Sequence, residues 1–449
     1  MSNSELTNRR ILAFWLPLAG TWLMMSVEGP FLTAVIARLP NPTENLAAYG
    51  IAFVLALVVE SPVIQFLSAS TALVSNRATY GAMRRFAYRA NVLLTLVLLL
   101  ILLPPVFRLL SEGLLKLPGN VAALTHNALI LLVPWPAAIG YRRFHQGLLV
   151  RNNLTRMVAV GTVMRVVTMA ITALLAARFT PLSGASVGAF ALSCGVIAEA
   201  VATGLMTHLV PGDLRFRNIE EGEQEESSQE TPEASLSQAQ IFSFYVPLSL
   251  TSILALGVQP IVTFFLGQSR FPLESLALFP VVQSFTFIFR SVGISFQEVG
   301  IALLGDRGEH YRELRNFVLM LATLSSAALA LVAYTPLVLI WYGGVAGLPP
   351  ELIELAITPT RMLIILPGIT VLISFQRALL INARNTPPLG GATLTEIATI
   401  ATVLFVGIWW FDMIGVYVAA LALVLGRLLG NIYLVPHVWR LLQERGTRF

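Results

Sequence analysis

Apolar runs of roughly twenty residues, the length a helix needs to cross a bilayer, recur along almost the whole chain. Inside hydrocarbon every backbone N–H and C=O must be paired internally, which leaves helices and closed barrels. The runs here are continuous rather than alternating, and that excludes a barrel. Only 12% of residues are charged and 56% are hydrophobic, with a mean hydropathy of +0.76. A soluble chain carries about 25% charged residues. The expected fold class is an all-α polytopic membrane protein.

Length and hydropathy place about twelve spans. The first six fall near 11–38, 46–74, 87–110, 122–149, 157–178 and 183–210; the second six fall near 241–268, 275–304, 314–340, 352–380, 389–411 and 414–437. The polar start, Met1 to Arg10, runs straight into the first span and shows no small-residue cleavage site, so it reads as a spanning helix rather than a removed leader. Alternate connections carry the arginines: Arg9 and Arg10; Arg77, Arg84, Arg85 and Arg89; Arg142, Arg143, Arg151 and Arg156; Arg307, Arg312 and Arg315; Arg384; and Arg440, Arg445 and Arg448. The opposite set holds little beyond Arg38, Lys116, Arg178 and Arg270. Positive connections stay in the cytoplasm, so both termini are expected inside, with Trp341, Tyr342, Trp409 and Trp410 at the outer interface. Lys116 is the single lysine, and the net charge of +5 is assigned to topology rather than to nucleic acid.

The stretch Pro211 to Gln240 holds Glu220, Glu221, Glu223, Glu225, Glu226 and Glu230 among serines and glutamines. It cannot bury enough apolar surface to fold and reads as a flexible cytoplasmic linker. It joins two copies of one unit. ILAFWLPL at Ile11–Leu18 returns as IFSFYVPL at Ile241–Leu248, and an offset of 230 residues also pairs Pro30 with Pro260, Pro42 with Pro272, Glu44 with Glu274 and Phe66 with Phe296. Later the offset is 231, pairing Pro136 with Pro367, FHQGLLV with FQRALLI, and Gly195 with Gly426. The domain division expected is a six-helix lobe at 1–210, the linker at 211–240 and a second lobe at 241–449. An even number of spans per copy makes the lobes parallel, related by a pseudo-two-fold axis along the membrane normal, and transporters of that kind bind substrate near the midplane.

Charges inside spans are the candidate functional groups, because an ionised side chain at bilayer centre costs at least ~2.5–3.5 kcal/mol and is kept for a partner or a task. Glu60 and Arg290 occupy equivalent slots in the two copies, each about 14 residues, or ~21 Å, into its span. Arg165 and Glu396 are likewise equivalent. Glu28, Glu199, Arg361, Arg377 and Arg427 complete the set, with Glu298 near the inner face. A packing ion pair accounts for two charges at a time; so many at several depths point to a water-filled cleft. Guanidinium groups hold phosphate or carboxylate through paired hydrogen bonds, so Arg290, Arg361, Arg377 and Arg427 are assigned to an anionic substrate. Glu28, Glu60, Glu199, Arg165 and Glu396 are assigned to coupling or gating, with Glu60 meeting Arg290 when substrate is absent. Glu28 sits beside a proline kink at Pro30, where it could take up H⁺ or Na⁺. Structural ion pairing is the plainer alternative for each of these groups.

Catalytic chemistry is not expected. There is no GxxxxGK[ST] phosphate loop and no HExxH spacing. The lone Cys194 excludes an internal disulfide, and no metal or other cofactor is called for. His145 reads as a helix-end contact.

Two six-span halves with a cytoplasmic linker resemble the MATE-like superfamily of multidrug and lipid-intermediate exporters. Within it, LPLAGTWLMMSVEGPFLTAVIA (Leu16–Ala37), ENLAAYGIAF (Glu44–Phe53), HQGLLV (His145–Val150) and TPTRMLIILPGITVLISFQRALL (Thr358–Leu380) resemble the progressive ankylosis protein family. Arg361 and Arg377 fall at arginines of that family's pattern. The resemblance implies an exporter of pyrophosphate, nucleotide phosphates or small organic acids such as citrate. The acidic linker departs from that pattern. The expectation is a monomeric secondary exporter of a small anion in a bacterial inner membrane, in contact with lipid. The alternatives are a lipid-linked intermediate flippase, a cation-coupled multidrug antiporter and a non-transporting scaffold or receptor.

Overall fold

The computed structural model describes residues 6–74, 76–152, 154–209, 237–305, 308–383, 385 and 387–444. Most of the acidic linker lies outside them. Among the described residues, eleven helices are long and apolar enough to cross a membrane. In chain order the elements are α1 (Asn8–Ser26), α2 (Glu28–Ala37), α3 (Pro42–Glu60), α4 (Phe66–Leu73), α5 (Arg77–Leu102), α6 (Gly119–Leu131), α7 (Trp135–Arg151), α8 (Thr155–Phe179) and α9 (Gly184–Leu209). After the linker come α10 (Gln238–Leu256), α11 (Val258–Leu266), α12 (Pro272–Leu303), α13 (Tyr311–Tyr334), α14 (Pro350–Met362), α15 (Leu366–Asn382), α16 (Pro387–Phe405) and α17 (Gly415–Glu444). The span expected at 241–268 is thus the consecutive pair α10 and α11.

The duplication is carried by the backbone as well as by sequence. The first span breaks at Val27 and its repeat breaks at Gly257, in each case three residues before a proline of the pair Pro30 and Pro260. The helix pairs α6 and α14, and α7 and α15, begin and end in register at the 231-residue offset. Asn41 and Phe271 hold the same left-handed turn, φ 53° and 55°, ahead of Pro42 and Pro272. Asparagine tolerates that region, whereas a bulky side chain such as Phe271 adopts it at a cost. Lys116 and Gly347 repeat the pattern with φ 51° and 69°. One break is not repeated. Span two stops at Glu60, turns through Ser61 and Pro62, and resumes as α4, because proline cannot donate to the preceding turn; the equivalent α12 is continuous.

The chain packs as two compact units, one of residues 1–50 with 261–449 and the other of residues 51–260. These packing units cut differently from the sequence copies, since α1 and α2 pack with the second copy and α10 with the first. The contacts responsible are equivalent. In the first unit, Trp15 donates its indole N–H to Ser295 Oγ at 2.9 Å and meets the Phe317 ring at 6.1 Å. In the second, Tyr245, the repeat of Trp15, donates to the Pro62 carbonyl at 2.7 Å and stacks on Phe66 at 5.1 Å. It also meets Phe86, the repeat of Phe317, at 5.1 Å. The Pro62 carbonyl thereby accepts twice, from Tyr245 and, at 3.3 Å, from the Gln65 backbone N–H. Ser237 and Gln240 close the start of α10 with a reciprocal capping box, which pairs two of the otherwise orphaned N–H groups.

Candidate functional site

Each unit holds one cluster of intramembrane charge. In the unit of residues 51–260 the centre is Glu199, on α9 and fully buried. Its Oε2 accepts from Arg142 Nη1 and lies 3.5 Å from Arg165 Nε. Its Oε1 accepts from Gln146 Nε2 at 3.2 Å and Thr162 Oγ1 at 3.5 Å. Arg142 and Gln146 stand one turn apart on α7, Arg165 and Thr162 nearly one turn apart on α8, so both helices aim two polar groups at one carboxylate. Glu60 joins from the end of α3, among the guanidinium groups of Arg142, Arg143 and Arg165 and beside the Trp135 indole. It is 6% exposed, and its Oε2 has no hydrogen-bond partner among the described residues.

The other unit holds the sign-reversed counterpart. Arg427 on α17 pairs with Glu396 on α16, Nη2 to Oε1, at 2.9 Å. In both units the pair joins the last two spans of a copy, with the basic and acidic partners exchanged between them. The charged groups near enough to act on Arg290 are Arg427 and Glu396, and the same two act on Arg377. Arg290 Nη1 donates to Gln283 Oε1 at 3.3 Å, two turns back along α12. Asn431 braces the region by donating to the carbonyls of Arg427 at 2.8 Å and Ile369 at 3.1 Å. The Nε groups of Arg290, Arg377 and Arg427 lack hydrogen-bond partners among the described residues, as do Gln376 Oε1 and Asn431 Oδ1. Arg427 thus contacts the Glu396 carboxylate, and Arg290 and Arg377 lie within its electrostatic reach, in a half-buried setting with donors to spare.

Arg361 is elsewhere. It is exposed, donates Nε to the Ala333 carbonyl at 3.2 Å and sits 5.1 Å over the Tyr334 ring. Glu28 opens α2, at the positive end of that helix's dipole, and its charge is felt by buried Tyr49. Next to it, Gly29 abuts α12 so closely that a Cβ would sit 2.7 Å from Ser284 Cβ. Glu60 and Arg290 fall in different units, each with its own partners. Arg142 and Arg143 correct the reading that placed them in a cytoplasmic connection: both lie within α7, and Arg142 is 4% exposed. Their missed role could have been inferred from Glu199, a fully apolar-flanked acid in need of a cation. His145 is not at a helix end; it is buried mid-helix, its Nδ1 3.0 Å from the Tyr141 carbonyl.

Such a duplicated helical scaffold has counterparts among solved structures. An inward-facing multidrug resistance MATE family transporter of the MOP superfamily matches 94% of this chain and 96% of its own length, with TM-score 0.70 and 13% identity. The fold is MATE-like. The lipid II flippase MurJ, in an inward closed conformation, matches with TM-score 0.68 and 14% identity over 94% of this chain and 87% of its own. A MOP superfamily transporter from Pyrococcus furiosus, described as having a binding pocket of reverse polarity, matches with TM-score 0.60 and 12% identity over 96% of each chain. At these identities the likeness is one of fold. No protein family model matches the chain, and no curated protein matches it. The likeness to the progressive ankylosis protein family accordingly stands on its sequence motifs alone. Within the MATE-like fold, the two charge clusters fall one in each packing unit.

Proposed function

We propose that this chain is a secondary active transporter that exports an anionic solute by alternating access, the solute being pyrophosphate, a nucleotide phosphate or a small organic acid such as citrate. The observation that carries this reading is the surplus of cationic groups around Arg290, Arg377 and Arg427, which lie within electrostatic reach of the single carboxylate of Glu396. Arginine stays protonated in proteins, so surplus guanidinium charge inside membrane-length helices calls for an anion from outside the chain. Paired N–H donors suit phosphate and carboxylate oxygens. Arg361 is set aside as a ligand because its guanidinium is committed to Ala333 and Tyr334. Glu28 and Glu60 are the groups proposed to couple H⁺ or Na⁺. A monomer in a bacterial inner membrane, with both termini cytoplasmic, completes the reading.

The solved MATE and MurJ structures support transport as the function class, and the reverse-polarity pocket of the Pyrococcus furiosus protein shows that this fold can carry pockets of different sign. An export role for multidrug cations fits the arginine surplus poorly. A flippase for a lipid-linked diphosphate is the second reading, favoured by the MurJ likeness, and would use the same arginines. Proteoliposomes separate the two. The exporter should move labelled pyrophosphate or citrate and lose that transport in Arg290→Gln. Movement of a lipid-linked diphosphate without soluble anions would select the flippase, and unchanged anion transport in Arg290→Gln would remove the role of that residue.

A further inference from the structure

We propose that Arg142, Arg143 and Arg165 form a second anion site, in the unit of residues 51–260, and that the Glu60 carboxylate is its internal plug, displaced when a diphosphate binds. The inference rests on the reading that this chain handles anions, and extends it to the other packing unit.

Two carboxylates lie in the field of these three guanidinium groups, and they are held very differently. Glu199 is locked by Arg142, Arg165, Gln146 and Thr162. That set has the mark of a structural ion pair, with every oxygen committed. Glu60 has an oxygen with no hydrogen bond although the residue is more than nine-tenths buried. It also stands at the last residue of α3, where the negative end of the helix dipole disfavours a carboxylate. The arginine field and the neighbouring Trp135 indole hold it there. The backbone beneath it is broken at Ser61 and Pro62, so Glu60 sits where a helix can bend. In the other copy the helix runs on unbroken and the equivalent residue is Arg290, so the acid and the break occur together.

The cationic side is not used up. Arg142 Nε and Arg143 Nε have no hydrogen-bond partner among the described residues, while Arg143 Nη1 reaches only Gln146 Oε1, at 3.5 Å. A diphosphate offers many acceptor oxygens for such donors. Being multiply charged, it outcompetes a single carboxylate for the same three cations.

The test is calorimetric titration of the full-length protein in detergent, with inorganic pyrophosphate in one arm and geranyl diphosphate in the other. An Arg290→Gln background removes the site in the other unit. On that background, residual binding should tighten severalfold when Glu60→Gln is added, since the carboxylate that competes for the field of Arg142, Arg143 and Arg165 is gone, and should vanish when Arg143→Gln is added. Either diphosphate following this pattern supports the site; the tighter one identifies a free solute or a lipid headgroup as the source. Binding that Glu60→Gln leaves no tighter overturns the inference, as does binding that a folded Arg143→Gln protein retains. Glu60→Gln is nearly isosteric, so its arm decides the matter even if the arginine variant fails to fold. Wild type unaffected by Arg290→Gln would sink the reading of the other unit while leaving this pattern intact. Absence of binding in every variant and in wild type would sink both.

Discussion

Replacing Glu199 tests whether it is a packing lock or a coupling acid. Glu199→Ala removes the acceptor of Arg142, Arg165, Gln146 and Thr162 at a residue with no solvent exposure. Breaking a buried ion pair by deleting one partner costs about 3–5 kcal/mol, because the remaining charge is stranded. Here two guanidinium groups lose their carboxylate, so the upper part of that range applies. For a unit of this size, each kcal/mol lowers the melting temperature by about 2–4 °C. The expected fall is on the order of 10–20 °C, read as loss of the monodisperse size-exclusion peak after heating in detergent. Glu396→Ala should cost less, since its partner Arg427 keeps a side-chain exposure of 17% and water screens what burial does not. A Glu199→Ala protein that melts within about 2 °C of wild type yet has lost transport would refute the lock and return Glu199 to the coupling groups.

Arg361→Gln should leave anion transport within about twofold of wild type and cost roughly 1 kcal/mol or less, as expected for an exposed cation–π contact and one carbonyl bond; liposome uptake and melting curves check this, and a loss as deep as that of Arg290→Gln would restore Arg361 to the site. Gly293→Ala should destabilise by about 1–3 kcal/mol through overpacking, because its Cβ would lie 2.8 Å from Val371 Cγ2 and 2.9 Å from the Val371 backbone nitrogen. An unchanged melting temperature would mean that α12 and α15 can separate freely.

Much of the fold was legible because helix length and proline position are local properties. The breaks at Val27 and Gly257 follow from Pro30 and Pro260, whereas the break at Ser61 and Pro62 divides a stretch whose hydropathy reads as one span at 46–74. The division into packing units was not legible. Whether α1 packs with its own copy or the other depends on Trp15 reaching Ser295 and Phe317, contacts 280 and more residues away in sequence. The charge clusters were half legible. An acid or arginine amid apolar residues announces itself, and Glu60, Arg165, Glu199, Arg290, Glu396 and Arg427 were found that way. Arg142 and Arg143 were hidden by their neighbours, since Tyr141, His145 and Gln146 make that turn look like a connection; only the α7 backbone shows it to be interior. Arg361 shows the limit of that signal: apolar neighbours in sequence did not mean burial, because helix face decides exposure and a lone charge has no period from which to read it.

The sign of the transported charge bears most directly on the proposal. Proteoliposomes given labelled pyrophosphate or citrate should accumulate the label, and Arg290→Gln should abolish that uptake. Uptake of labelled tetraethylammonium, with none of either anion, would contradict an anion carrier built on Arg290, Arg377 and Arg427.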